Sequence, residues 1–444
     1  MSASGDGLLE RLLAGARCDA ASGESAEAYE RRGTSIELVE DSEGSRLSAV
    51  SERGFALRLF RSGRTAFAAS VPEAVDTLPD AARLLLARAR TRRGVRAAGP
   101  ARGGESFAGP QVPDEESAHA LLATFRSDLL AAGEGAVSLS EAILTTGTRT
   151  ERALTTAGRD VVFGSETTTL VATVTGRTAA GSVSARFLAS AARPFELPLS
   201  RLAHHAVDRV LLPLRGKPLA PARGDLLLDP NVAAPLVGRL ASAFFGDDGD
   251  ALLASRTRDG RDAFAAPVFS LVDDAAVPGG PLKATHDGEG TPHGRTHLVR
   301  NGIVSGRLSD AAAAVRLDQP PTGNAVRRAY TEPPVIGITN FFVDASAGIP
   351  PLELLRALAR GFYAAVLLSR PQVDLPGDRF SLHVAGYRIE RGRATEAVSE
   401  TLVEGRLSEF LRSISAIGDD LRFVPSGTGG AGAPTLFAPK WKGA

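Results

Sequence analysis

The residues best suited to chemistry crowd between positions 225 and 344. Val272-Asp273-Asp274 and Val277-Pro278-Gly279-Gly280 lead into His286-Asp287-Gly288-Glu289-Gly290-Thr291-Pro292. Thr322-Gly323-Asn324-Ala325-Val326-Arg327-Arg328 and Thr339-Asn340-Phe341-Phe342 follow. Asp287 and Glu289 are two apart, so an extended segment would turn both carboxylates to one side, the arrangement of an acid/base pair. The competing reading is a turn, because Asp before Gly caps nearby backbone N–H groups with its own carboxylate. Glycoside hydrolysis is disfavoured, since the chain has one Trp and four Tyr with which to stack a sugar. Arg327 and Arg328 suit bidentate binding of a carboxylate, on a peptide terminus or a partner subunit, and equally suit surface ion pairs. Thr339 and Asn340 offer a hydroxyl and an amide to a peptide backbone, or simply end a strand. Gly and Pro at this density mark tight turns, so the short polar side chains are expected along one rim of a sheet.

Metal and phosphate chemistry fit less well. His293 and His297 have the four-residue spacing that chelates on a helix, but Thr291-Pro292 precedes them and Gly294 interrupts them. His297 to Arg300, Asn301-Gly302 and Ile303 to Arg307 read instead as a β-hairpin with a type I′ turn. On a strand, positions four apart lie about 13 Å from each other, too far to share one ion. The adjacent His204-His205 pair points in directions about 100° apart on its helix and cannot readily chelate one ion. Thr322 to Arg328 lacks the Lys and the helix start of a phosphate cradle.

In this order, Asp273-Asp274 with Pro278-Gly279-Gly280, Asp287-x-Glu289-Gly290-x-Pro292, Thr322-Gly323-Asn324-x-x-Arg327 and Thr339-Asn340 resemble the TldD/PmbA ("modulator of DNA gyrase") family, and within it the TldE/PmbA branch. The resemblance spans nearly the whole chain and is weakest between Ala97 and Gly224. It implies a subunit of a cytoplasmic peptidase complex acting on unfolded or precursor peptides. In the TldD branch one helix carries a His-Glu-x-x-x-His zinc motif, whose Glu activates the metal-bound water. The corresponding residues here are Leu236, Val237, Gly238, Arg239, Leu240, Ala241 and Ser242, none of which ligates zinc in that manner. The TldD branch also draws a zinc ligand from a late cysteine, and this chain has only Cys18. The resemblance therefore implies no catalytic residue, no metal site and no cofactor in this chain, with zinc on a TldD-type partner. The contact residues it leaves for substrate or partner are Asp287, Glu289, Thr322, Gly323, Asn324, Arg327, Arg328, Thr339 and Asn340. Two alternatives stay open: a stand-alone peptide-binding or scaffold protein, and an autonomous zinc hydrolase relying on His293 and His297.

Composition bounds these readings. With 444 residues the chain exceeds a single core of about 250–300 residues. Lys plus Arg equals Asp plus Glu at 51 each, so no global charge points to nucleic acid. Seven arginines between Arg83 and Arg102 without an acid read as a solvated helix end and linker, because interleaved aromatics and a groove-entering element are missing. No apolar run reaches the ~18 residues of a membrane span, and Met1 to Gly7 is no secretory leader. A cytoplasmic location is expected.

The elements that must position the site read as an α+β protein: an N-terminal mixed antiparallel sheet with helices, and a larger β-rich C-terminal domain. The expected divisions are 1–95, a linker and central β-rich region over 96–224, and 225–444. Leu8 to Ala16 and Pro72 to Arg90 are amphipathic helices around strands Ala26 to Arg32, Thr34 to Glu40, Phe55 to Leu59 and Thr65 to Ser70. Val95 to Pro113 is the linker candidate. The centre holds helices from Ser117 to Ala132 and Leu199 to Leu212, with short strands between Ala136 and Thr175. Beyond Asp225 come a strand to Leu228 and a helix from Asn231 to Phe245. Leu352, Leu355, Leu358, Phe362 and Val366 make a helical stripe, Phe380 to Ile389 a strand, and Leu407 to Ile417 a helix stopped by Gly418. Pro425 to Pro434 is flexible by composition, with Leu436, Phe437 and Trp441 folding back.

Overall fold

The computed structural model describes residues 7–91, 97–103, 115–246, 249 and 263–443. Most of the linker candidate, and Arg92, Arg93 and Arg96, lie outside them.

Alternation in the first 200 residues builds seven strands of an eight-stranded sheet, and Lys283–Ala284 adds the eighth. Ser25–Asp41 pairs with Gly44–Arg61 on one edge and Val137–Thr155 on the other, and Arg64–Ser70, Asp160–Thr178 and Gly181–Ala191 extend the sheet outwards. The strands expected as short pairs are continuous, 17 to 19 residues each. The division near residue 95 therefore does not hold: Glu27 to Glu40 pairs with Thr155 to Ala142, which places both sides of it in one sheet.

Strand periodicity assigns the two faces. Ala26, Ala28, Phe55, Leu57 and Leu59 turn toward helices Leu8–Gly15 and Leu78–Arg88. On the same face, Leu38, Ala142, Leu144 and Leu170 meet helices Glu115–Gly133 and Leu199–Arg215. The intervening positions Glu27, Tyr29, Arg31, Arg58 and Glu151 turn the other way and are nonetheless buried, because the C-terminal half covers them.

That half starts with Gly224–Leu228 and folds into a six-stranded and a seven-stranded sheet around one apolar core, which helix Pro230–Gly238 joins. Three expectations fail here. The stripe from Leu352 to Val366 is not one helix: Pro351–Ala357 is helical, then Arg360–Leu367 is a strand, parallel to Gly224–Leu228 and antiparallel to Arg379–Glu390. Helical spacing at Phe362 and Val366 was coincidental; burial on the sheet decided their conformation. Likewise Leu407–Ser413 is helical but Ile417 is in a strand. The glycine-rich stretch after Pro425 is not flexible, since Arg422–Ser426 and Gly429–Ala433 pair with each other and 429–433 is wholly buried. A Cβ at Gly429 would collide with the Thr339 carbonyl oxygen, so glycine here permits close packing. The Asn301-Gly302 hairpin forms as expected, with both residues at positive φ, 48° and 79°.

Candidate functional site

The motif residues converge, but as interior struts. Asp273 closes the central strand Leu271–Asp273 and accepts hydrogen bonds from the Asn324 amide (2.8 Å), the Thr339 hydroxyl (2.6 Å) and the Thr339 N–H (2.9 Å). Asn340 has no exposed surface. Its amide donates to the carbonyls of Asp274 (3.0 Å) and Leu282 (2.8 Å) and accepts from the Leu282 N–H (3.1 Å). Asp287 takes the turn-capping role: Oδ1 accepts from the N–H groups of Glu289 and Thr291, and Oδ2 from that of Ala325. Thr322 exchanges three hydrogen bonds with Ser309. Gly323 sits at φ +75° against the Pro292 carbonyl.

These loops dock on the polar face of the N-terminal sheet. The Glu289 carboxylate accepts from Arg58 at 2.7 Å and from the Ala311 N–H at 2.9 Å. Arg327 donates to the Gly288 carbonyl (2.7 Å), pairs with Glu27, and lies 4.1 Å from the Tyr29 ring centre. Arg58 also pairs with Glu27, its cross-strand neighbour. Arg31 is held by Glu151, its neighbour on the other side, and donates to the carbonyls of Arg327 (2.9 Å) and Arg328 (3.0 Å). The expectation of a polar rim is thus corrected. Asp287, Glu289, Gly323, Asn324, Arg327, Thr339 and Asn340 are buried, Thr322 is half-buried, and only Arg328 is exposed.

Burial sets the protonation equilibria. Desolvation raises Asp273 to about 6 despite its donors. Desolvation and the Glu289 charge raise Asp287 to about 7 against three backbone N–H groups. Glu27 feels the same desolvation, but Arg58 and Arg327 offset it and hold the carboxyl below the usual range. Burial lowers His293 to about 4, and His286 and His293 flank the Asp287 turn, with Thr285 accepting the His293 N–H. Glu27, Arg31, Arg58 and Glu151 carry no local signal of this role, because charges alternating with apolar residues read as a solvated strand face.

The open surface lies nearby. A cleft of about 560 Å³ runs between residues 238–245, the hairpin of Ala325–Val326 with Val335–Ile336, residues 373–376, and residues 426–428. Arg239, exposed Ser242 and exposed Arg328 line it. Two of its borders are end strands: Gln372–Asp374 of the seven-stranded sheet and Arg422–Ser426 of the six-stranded one. Its wall includes residues from the segment 236–242, which the resemblance aligns with the zinc-motif helix of the TldD branch. Leu236, Val237 and Leu240 are buried in the apolar core, Gly238 has no side chain, and Arg239 brings a positive charge. This donor set does not fit zinc. Among the described residues, no three His, Cys, Asp or Glu side chains come together as a metal group.

The chain thus combines an N-terminal antiparallel sheet with helices and a β-rich C-terminal half that carries an open cleft. Residues 221–442 match the model of the PmbA/TldA metallopeptidase C-terminal domain. The chain belongs to the TldD/PmbA metallopeptidase family. A Synechocystis metalloprotease is 31% identical over 176 residues, 39% of this chain and 37% of that protein. A Methanothermobacter thermautotrophicus metalloprotease is 25% identical over 248 residues, 52% of this chain and 53% of that one. The chain thus spans between about a third and about half the length of these relatives. TldE from Thermococcus kodakarensis superposes with a TM-score of 0.82 over 98% of this chain and 99% of that one; at 17% identity, the likeness is one of fold.

Proposed function

We propose that this chain is the non-zinc, TldE-like subunit of a heteromeric metallopeptidase, holding unfolded or precursor peptides while a TldD-type partner supplies zinc and the activated water. The observation that carries this reading is the lining of the cleft: Gly238, Arg239 and Ser242, from the segment that the family resemblance aligns with the zinc-bearing helix, offer no metal ligand. An extended peptide needs its backbone N–H and C=O groups satisfied, and the end strand of a sheet does this without sequence preference. Gln372–Asp374 and Arg422–Ser426 are such strands. Arg239 and Arg328 would favour acidic side chains or a terminal carboxylate. Of the motif residues, Arg328 is the one retained as a direct contact; Asp287, Glu289, Thr322, Gly323, Asn324, Arg327, Thr339 and Asn340 support the wall from behind. The cytoplasm is the proposed setting.

The test is purification from native lysate with mass spectrometry and metal analysis, then peptide cleavage by the chain alone and by the complex. The isolated chain should cleave nothing with added zinc, and the complex should be active and chelator-sensitive. Ser242→Trp, which fills the cleft, should raise KM at unchanged assembly. Zinc near one per isolated chain, or chelator-sensitive cleavage by it, sinks the proposal. Peptide binding with no partner and no cleavage would favour the stand-alone binder.

A further inference from the structure

The Ser25–Asp41 strand is paired along both edges, but its neighbour Gly44–Arg61 is not. Arg64–Ser70 covers the outer edge of that neighbour only from Phe55 to Arg61. From Gly44 to Gly54, among the described residues, no strand lies alongside. Residues 44–52 are all exposed, Val50 at 57% and Leu47 at 40%. The inner edge keeps register with Ser25–Asp41 from end to end without a bulge, and neither Pro nor Lys occurs from Gly44 to Arg53. Proline, lysine, bulges and short length are what soluble proteins use to block such an edge. Here all four are missing.

We propose that this edge pairs antiparallel with the same edge of a second copy of the chain, making a continuous sheet through two N-terminal modules. A two-fold axis perpendicular to the sheet returns each face to itself, so directly opposed residues must point to the same side and differ by an even number. Placing Ala49 opposite Ala49 sets Arg46 opposite Glu52 and Glu52 opposite Arg46. One ion pair thus forms on either side of the axis. Leu47 then faces Ser51 and Ser48 faces Val50, with no bulky pair. Sliding the strands to the next two-fold registers sets Arg46 opposite Val50 or Gly54 and loses both ion pairs. Glu52 meets no cation among the described residues. Arg46 is bound to Asp41 at 2.8 Å and to Glu43 at 3.8 Å with most of its side chain in solvent, so the guanidinium retains free donors. Arg53 is committed to Glu30. Self-complementary charge favours a second copy over a peptide of arbitrary sequence, and the inference is independent of the cleft.

The experiment uses the full chain carrying Cys18→Ser. Opposed positions on antiparallel strands have Cα atoms about 4.5–5.5 Å apart, within disulfide range. Ala49→Cys should therefore cross-link into dimers under mild oxidation. Ser51→Cys should not, since its own mate lies about four residues, ~13 Å, along the strand. In sedimentation velocity, Arg46→Glu and Glu52→Arg should each raise the dimer dissociation constant about tenfold, and the double exchange should restore it. Circular dichroism verifies that each variant is folded. A chain monomeric at all concentrations overturns the proposal. So do dimers that cross-link at 51 rather than 49, dimers indifferent to both reversals, or charge reversals that release a different protein.

Discussion

Asn340→Ala separates a buried strut from a peptide-contacting amide. The side chain has no exposed surface and makes three hydrogen bonds of 2.8–3.1 Å, tying the strand Asn340–Val343 to Asp274 and Leu282. Each is worth about 1 kcal/mol net, and the Leu282 N–H would be left buried without a partner, so about 3 kcal/mol is expected in all. Against a typical 5–15 kcal/mol of total stability, that is a large loss. The assay is urea unfolding followed by circular dichroism, with the midpoint compared at constant slope, alongside KM of the assembled peptidase. Arg328→Ala, at an exposed position, is the control and should stay within about 0.5 kcal/mol. If Asn340→Ala unfolds at the wild-type midpoint while KM rises, the amide faces peptide and the strut argument is refuted.

Gly323→Val should also destabilise, since φ is +75° and a Cβ would lie 2.3 Å from the Pro292 carbonyl oxygen; an unchanged melting temperature would show that the loop relaxes freely. Arg327→Ala should cost as much or more, about 3–5 kcal/mol, because it strips the buried Glu27 of one of its two cations; a loss below about 1 kcal/mol would contradict this. With folded values of about 6 and about 7, Asp273 and Asp287 lie above their unfolded pKa near 4. Their contribution is complete below about pH 4 and is lost as pH rises through about 6 to 7. The urea midpoint should therefore fall over that window at fixed ionic strength, and Asp273→Asn should flatten the fall; an identical slope in the variant would refute the assignment.

Local signals were legible wherever the physics is local. Asn301-Gly302 demanded positive φ at both positions and made a hairpin; Asp287 before Gly capped its own turn. Leu382 and Val384 lie on a strand read from alternation. What could not be read depends on partners far along the chain. Arg327 and Glu27 are 300 residues apart, and nothing near either says that the other will bury it. Phe362 and Val366 fit a helical stripe until a sheet offers more burial. Gly429 to Ala433 matches a flexible tail in composition, and Thr339, Pro281, Phe342 and Phe423 packed against its glycines explain why side chains are excluded there. The cleft was missed for a related reason: Arg239 and Ser242 were noticed as absent ligands, and only the end strands of two separate sheets make them the wall of a groove.

The strand Leu436–Trp441 lies between Gly224–Leu228 and the two-residue end strand Ala416–Ile417. A ribosome delivers it roughly two hundred residues after the strand it pairs with, about 10–40 s at 5–20 residues per second. Throughout that interval the nascent chain carries an open, leucine-rich edge at Leu226 to Leu228. Any message truncated upstream of Leu436 would leave that edge unpaired for good, making its product a client for chaperones and proteases whatever the state of the residues before it.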